Sequence, residues 1–385
     1  MHSQRNTYCL FLQSYFILVQ FLTIYELNIA LAVFISKINS MWEQPVSIIC
    51  YLLVAACVVF FSIKLSDYVD LLDKKTKVSG AFLGGILLAA VTSLPELFTS
   101  ITATTLVREN KYVMGNILGS NLFNMALFFI IFAVFFKKAA SAKVNKVHLL
   151  SLLFMGIMYV IVTIAAYVFD FNNILWGWFN PLSIAIVAVY ALAIIKTPKE
   201  EESEEKHSDS KLTVKQIIGL FVLFSVLLIG ASVGITYLTD WVVQSFNIGK
   251  TFGGALFLGV ATSLPEMTAT INLCRKKNFN AAYGNILGSC VFNFIILSIA
   301  DLLSFNCNTT LYKLDQSSFL LLVFAVISML LLLGGLLAQL KGDHKDSKGR
   351  RAFFIIIGSG VLLVYIAFLV LSNINLNIPF APMGM

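Results

Sequence analysis

The chain has 385 residues, 58% of them hydrophobic and only 12% charged, with a net charge of +7. Soluble domains carry about 25% charged residues, and apolar stretches long enough to cross about 30 Å of hydrocarbon recur here. That composition excludes a soluble globular domain and predicts an all-α polytopic membrane protein.

An apolar segment at about 9–36 comes first, interrupted by Gln13, Gln20, Glu26 and Asn28. Arg5 precedes it and no small-residue cleavage site stands out, so residues 1–44 are a leader or an extra span. Ten predicted spans follow, at roughly 46–66, 79–107, 112–136, 148–168, 176–195, 216–238, 251–274, 280–304, 317–339 and 352–372. Between the fifth and sixth lies KTPKEEESEEKHSDSKLTVK, residues 196–215, whose dense charge can enter neither a bilayer nor a core. It is a solvated linker dividing a first five-helix half, 45–195, from a second, 216–385.

Basic residues are distributed unevenly between the loops. Those after spans 1, 3, 5, 7 and 9 hold twenty lysines and arginines, and those after spans 2, 4, 6 and 8 hold four. The positive-inside rule puts the first set, and with it the 196–215 linker, in the cytoplasm and the C-terminus outside. The expected location is the plasma (inner) membrane. The asymmetry accounts for the net charge without nucleic acid as a partner. The six cysteines show no CxxC spacing and no HExxH occurs, so neither a disulfide framework nor a zinc site is expected.

The two halves are related. TSLPE occurs at 92–96 and again at 262–266, and GNILGS at 115–120 and 284–289. Asp70 falls on Asp240, Phe82 on Phe252, Gly84 on Gly254, and Phe123-Asn124 on Phe292-Asn293. An odd number of spans in each half makes the second enter the membrane from the opposite side, the inverted repeat of secondary transporters.

Each TSLPE buries a proline and a glutamate in an apolar run. Pro95 and Pro265 deprive the carbonyls of Val91 and Ala261 of their usual donors. Such carbonyls are tolerated in a membrane only where they line a polar cavity or are buried in protein. Glu96 and Glu266 are the one carboxylate of their spans, with no lysine or arginine at that depth to pair with them. With the hydroxyls of Thr92, Ser93, Thr262 and Ser263 they make an all-oxygen cage suited to a hard cation. The second motif supplies another wall: Ser120 and Asn124, like Ser289 and Asn293, are four apart on one helix face. Gly115, Gly119, Gly284 and Gly288 are expected to let helices approach closely. Asn116 and Asn285 are either ligands or interhelical hydrogen-bond donors, with the second reading favoured. Asp70 and Asp240, near span ends, are expected to act at the interface.

At these motifs the chain resembles the sodium/calcium exchanger family of calcium/cation antiporters, particularly its short prokaryotic-type members, over about 45–372. The resemblance implies ten helices in two inverted halves and alternating access by sliding of spans 1 and 6. It implies calcium bound by Glu96, Glu266 and the backbone carbonyls of Thr92 and Thr262. Ser93, Ser120, Ser263 and Ser289 would flank it in sodium sites, with Asn124 and Asn293 in the middle. It further implies three sodium ions per calcium. Two departures stand out: described members carry aspartate where this chain has Asn293, and the residue after the second-motif serine is Asn121 in one half but Cys290 in the other.

The expected function is thus a secondary active antiporter exchanging calcium for sodium. The alternative is a proton- or potassium-coupled calcium antiporter of the same fold. No enzymatic constellation lies in the spans and no cofactor is expected. The transported ions Ca2+ and Na+ and the lipid bilayer are the implied partners, with no oligomeric state specified by the sequence.

Overall fold

The computed structural model describes residues 44–107, 110–136, 145–167, 180–197, 210–245, 262–304, 311–312, 314, 316–341 and 347–373. The apolar segment at 9–36, most of the charged linker, the first part of the seventh span at 251–261 and the tail after 373 lie outside the described residues. The chain divides into two units, Met1–Cys50 and Tyr51–Met385. Of the first, Gln44–Cys50 are described, as helix. The second contains every side-chain contact and the candidate site described below.

Every described element is helical. Helix α1 is Gln44–Lys75, with Lys74 and Lys75 in its last turn, where cations suit the negative end of the helix dipole. The second span is assembled from pieces. Ser79 caps it by accepting from the Phe82 N–H at 3.1 Å. Then come α2 (Gly80–Phe82), a π-helical turn at Leu83–Leu88, α3 (Ala89–Thr92), α4 (Leu94–Thr102) and a second π segment at Ala103–Val107. The remaining helices are α5 (Asn110–Val134), α6 (Val147–Tyr167), α7 (Leu182–Lys196), α8 (Val214–Ser245), α9 (Leu264–Arg275), α10 (Phe279–Leu303), α11 (Gln316–Lys341) and α12 (Ser347–Asn373).

Among the described residues seven helical segments are long and apolar enough to cross a membrane: Ile48–Lys75, Gly80–Thr105, Val113–Val134, Val147–Tyr167, Val214–Gly234, Phe279–Leu303 and Ser318–Leu337. Leu182–Lys196 and Ile355–Leu371 are apolar but shorter. These segments coincide with predicted spans. The seventh predicted span is described only from Thr262 onward, where α9 continues it.

Helices α5 and α10 are central. In each, 72% of the most apolar stretch is buried, against 28% for the corresponding stretch of α8. The α8 residues Ile218, Val222, Leu223 and Val226 are exposed instead, as suits a helix facing lipid. The core is fastened by backbone contact between the π-helical turn of span 2 and α10. A Cβ on Gly84 would overlap the Ala281 backbone, and one on Gly288 would overlap the Gly85 carbonyl. One on Gly284 would lie 2.7 Å from the Gly85 nitrogen. The expected close approach is therefore found at Gly284 and Gly288. Gly115 and Gly119 meet no described atom within 4 Å, and Gly254 and Ala255, the repeat counterparts of Gly84 and Gly85, lie outside the described residues.

Polar contacts show which loops share an end. Lys276 pairs with Asp67 at 2.7 Å, and Asn278 donates to Asp70 at 3.2 Å and Asp73 at 2.9 Å. Lys75 Nζ donates to the carbonyls of Ser210 and Leu212, each at 2.6 Å. The Asn145 N–H donates to Asn280 Oδ1 at 3.0 Å. Segments following spans 1, 3 and 7 and the end of the linker thus meet. Elsewhere Asp301 Oδ2 accepts from the Asn180 N–H at 2.9 Å and from Ser183 at 2.7 Å, and Tyr312 lies 2.7 Å from the same serine. Residues flanking spans 5 and 8 meet there. Asp70, expected near an interface, is 2% exposed at the end of α1 and bridged to Lys74 at 2.8 Å. The Asp240 side chain lies outside the described ones.

Candidate functional site

Identical sequences give matching helix breaks. Ser93 has φ −89° and ψ 9°, and Ser263 has φ −90° and ψ 3°, both in the sparsely populated bridge region. A proline follows in the first turn of the next helix, where its missing N–H costs no helical bond. Val91, expected to lose its donor to Pro95, is instead faced by the Ser93 N–H; Ala261 lies outside the described residues. Backbone bonding resumes past each break with Leu97 N–H to the Ser93 carbonyl at 3.2 Å and Met267 N–H to the Ser263 carbonyl at 3.1 Å. Glu96 and Glu266 sit in the first turns of α4 and α9. The positive end of each new helix dipole supports a carboxylate that no described lysine or arginine reaches.

All ten residues singled out from the sequence are buried: Thr92, Ser93, Glu96, Ser120, Asn124, Thr262, Ser263, Glu266, Ser289 and Asn293. Their contacts cross between the halves. Glu266 Oε1 accepts from Ser93 at 3.0 Å and from Ser289 at 3.4 Å. The Thr92 hydroxyl lies 3.4 Å from the Ser289 hydroxyl and donates at 3.4 Å to Asn285 Oδ1. Around Glu96 the neighbours are Thr262, from the opposite half, and Ser120. Asn293 donates to Asn121 at 2.8 Å, and Cys290 lies beside both Asn124 and Glu266.

Asn116 and Asn285 resolve in favour of interhelical bonding. Asn116 Nδ2 donates to the Glu96 carbonyl and the Ser100 hydroxyl, each at 3.1 Å. Asn285 Nδ2 does the same for Glu266 at 3.2 Å and Thr270 at 3.0 Å. Each therefore bolts a glutamate-bearing helix to its neighbour just behind the carboxylate. Asn121 is not among the site residues expected from the sequence, although its mismatch with Cys290, a change from amide to thiol beside the identical GNILGS, is the available signal.

Several buried polar atoms in this cluster have no hydrogen-bond partner: both carboxylate oxygens of Glu96, Glu266 Oε2, Asn293 Oδ1, Ser263 Oγ, and both amide atoms of Asn124. A buried unpartnered group destabilises a fold by about 1–3 kcal/mol, and more if charged. Oxygens dominate the set and thiolates and imidazoles are missing from it, so its chemistry suits a hard cation. Among the described residues no three His, Cys, Asp or Glu side chains come together as a metal cluster. Two carboxylates and neutral oxygens are what the cage offers.

The model of the family described as sodium/calcium exchanger protein matches residues 46–196 and 216–373. The sodium/calcium exchanger MaX1 of Methanosarcina acetivorans is 24% identical over 294 residues, covering 63% of this chain and 80% of that protein. The inner membrane protein YrbG of Escherichia coli is 24% identical over 252 residues, covering 62% of this chain and 74% of that one. Among solved structures, the sodium-calcium exchanger NCX_Mj superposes with a TM-score of 0.60 at 18% identity, covering 84% of this chain and 99% of its own. The H+/Ca2+ exchanger CAX superposes with a TM-score of 0.60 at 14% identity, covering 89% of this chain and 90% of its own. The fold is thus shared with both, and the two matched stretches cover both motif pairs on either side of the charged linker. This chain is a membrane-spanning member of the sodium/calcium exchanger protein family.

Proposed function

We propose that the protein is a secondary active antiporter that exchanges calcium for sodium across the membrane by alternating access. The observation that carries this reading is the buried cluster of unpartnered oxygens around Glu96 and Glu266. In the proposed site these two carboxylates and the carbonyls of Thr92 and Thr262 hold Ca2+. Ser93, Ser120, Ser263 and Ser289 flank it as sodium ligands, and Asn124 and Asn293 lie between. Family membership and the names of the relatives support the choice of ions.

The cage has a formal charge of −2 when both glutamates are ionised. Moving it through a low-dielectric barrier uncompensated is costly, so the alternating step is permitted only when cations balance it. That requirement turns a binding site into an exchanger. The proposed frame is ten spans in two inverted five-helix halves, with spans 1 and 6 sliding against the rest. The hold of Lys75 on the carbonyls of Ser210 and Leu212 supports it, since this ties the end of span 1 to the entry of span 6. By the lysine and arginine count, the 196–215 linker faces the cytoplasm and the C-terminus faces outward from a plasma (inner) membrane.

A second reading, calcium against protons, draws support from the same two carboxylates, because a buried pair can be neutralised by two protons as well as by two sodium ions. Radioactive calcium uptake into proteoliposomes separates these readings. Uptake driven by an outward sodium gradient at equal pH supports the first, and uptake driven only by a pH gradient supports the second. No uptake under either gradient, or under potassium, overturns the antiporter reading.

A further inference from the structure

The repeat is broken beside the cage, at the residue after the second-motif serine: Asn121 in one half, Cys290 in the other. Each of these side chains reaches the asparagine of the opposite half. Asn121 meets Asn293, and Cys290 meets Asn124. The two meetings differ in kind.

Asn121 Nδ2 donates to the Cys290 backbone carbonyl at 3.2 Å. A carbonyl only accepts, so the nitrogen of Asn121 is committed to that side and its oxygen faces Asn293. Asn293 must answer with its nitrogen, and it does, at 2.8 Å. Its own oxygen is then the atom left over, buried and without a hydrogen-bond partner. One chain of two bonds therefore sets the sense of both amides. Asn124 has no such chain. The Cys290 thiol, only a weak donor and acceptor, is directed at the Asn121 backbone carbonyl at 4.0 Å, and both Asn124 Nδ2 and Oδ1 are without hydrogen-bond partners.

We propose that Asn121 is a positioning residue that locks Asn293 with its oxygen available to the transported cation, while Asn124, opposite Cys290, remains an unlocked ligand. The proposal rests on the exchanger reading above. Its physical content is preorganisation. An amide free to turn presents a nitrogen as readily as an oxygen, and a nitrogen donor repels a cation. Calcium carries twice the charge of sodium, so its binding is weakened more by the loss of one oxygen ligand.

The test compares calcium and sodium dependence of uptake by the full-length protein in proteoliposomes. Removing the partner that orients a metal ligand typically weakens affinity by about 10–100-fold, so Asn121→Cys is expected to raise the calcium KM by about that factor. The sodium KM should rise less, and uptake at saturating calcium should be largely kept. The double exchange Asn121→Cys with Cys290→Asn moves the lock from Asn293 to Asn124 and should recover most of the loss. Cys290→Asn alone adds a second lock and should lower the calcium KM, a gain that a folding defect does not produce. An unchanged calcium KM in Asn121→Cys, a double variant as weak as the single one, or no gain in Cys290→Asn overturns the proposal. Glu266→Gln in the same assay separates the two levels. If that variant transports calcium at the native rate, the cage itself has been misassigned.

Discussion

Replacing Asn293 by aspartate adds a carboxylate to a cage that holds two, and so tests how much charge moves in each cycle. Among the described residues no third acidic side chain joins Glu96 and Glu266. One Ca2+ balances their charge, and so do two Na+. A third sodium ion would leave an uncompensated positive charge in a low-dielectric site. The expected exchange is therefore two sodium ions per calcium, with no net charge moved, in contrast to the three that resemblance to the family implies. Moving one elementary charge across 100 mV is worth about 2.3 kcal/mol, or about 50-fold in the calcium gradient sustained at equilibrium. The native protein should show none of that shift when sodium-driven calcium flux is measured in proteoliposomes at clamped potentials. In Asn293→Asp the new carboxylate would face Asn121 Oδ1, now 2.8 Å from the Asn293 nitrogen. Asn121 must then turn its amide and give up the Cys290 carbonyl, a loss of about 0.5–1.5 kcal/mol, after which the cage accommodates a third sodium. Voltage dependence should then appear, approaching the 50-fold value per 100 mV. A native reversal potential matching three sodium ions per calcium refutes the charge argument. An Asn293→Asp variant with native voltage dependence refutes the step from carboxylate count to stoichiometry.

Glu96→Gln and Glu266→Gln should each abolish calcium uptake while leaving a folded protein. Among the described residues neither glutamate has a basic partner to strand, so thermal unfolding in detergent should be unchanged or shifted upward; native uptake in either variant removes that glutamate from the site. Gly288→Ala should destabilise the protein by about 1–3 kcal/mol through overlap with the Gly85 carbonyl. Gly334→Ala, where a Cβ would meet no described atom of another element within 4 Å, should instead stabilise by up to about 1 kcal/mol, and paired melting curves that fail to separate the two would contradict the backbone contact. For topology, a cysteine introduced by Ser208→Cys should resist an impermeant thiol reagent in intact cells and react after permeabilisation. Ready labelling from outside would reverse the orientation.

Much of this protein can be read along its sequence because the bilayer restricts what an apolar run can be. Span positions, the duplication, the helix breaks at TSLPE and the burial of both glutamates all follow from hydropathy, from proline and from identity between repeats. These are properties of single residues and their near neighbours. What the sequence could not supply is which half each side chain addresses. A helical period places Ser93 on a face but does not name the helix opposite, and only the packed structure brings Ser93 onto Glu266 and Thr262 beside Glu96. The π-helical turn at Leu83–Leu88 was likewise invisible, since it is the meeting with α10 that carries Gly84 and Gly85 into backbone contact. The difference between Asn121 and Cys290 was plain in the sequence as a mismatch. It acquired meaning only when the fold brought a carbonyl, two amides and a thiol together, because the sense of an amide is decided by its partners and not by its own chain.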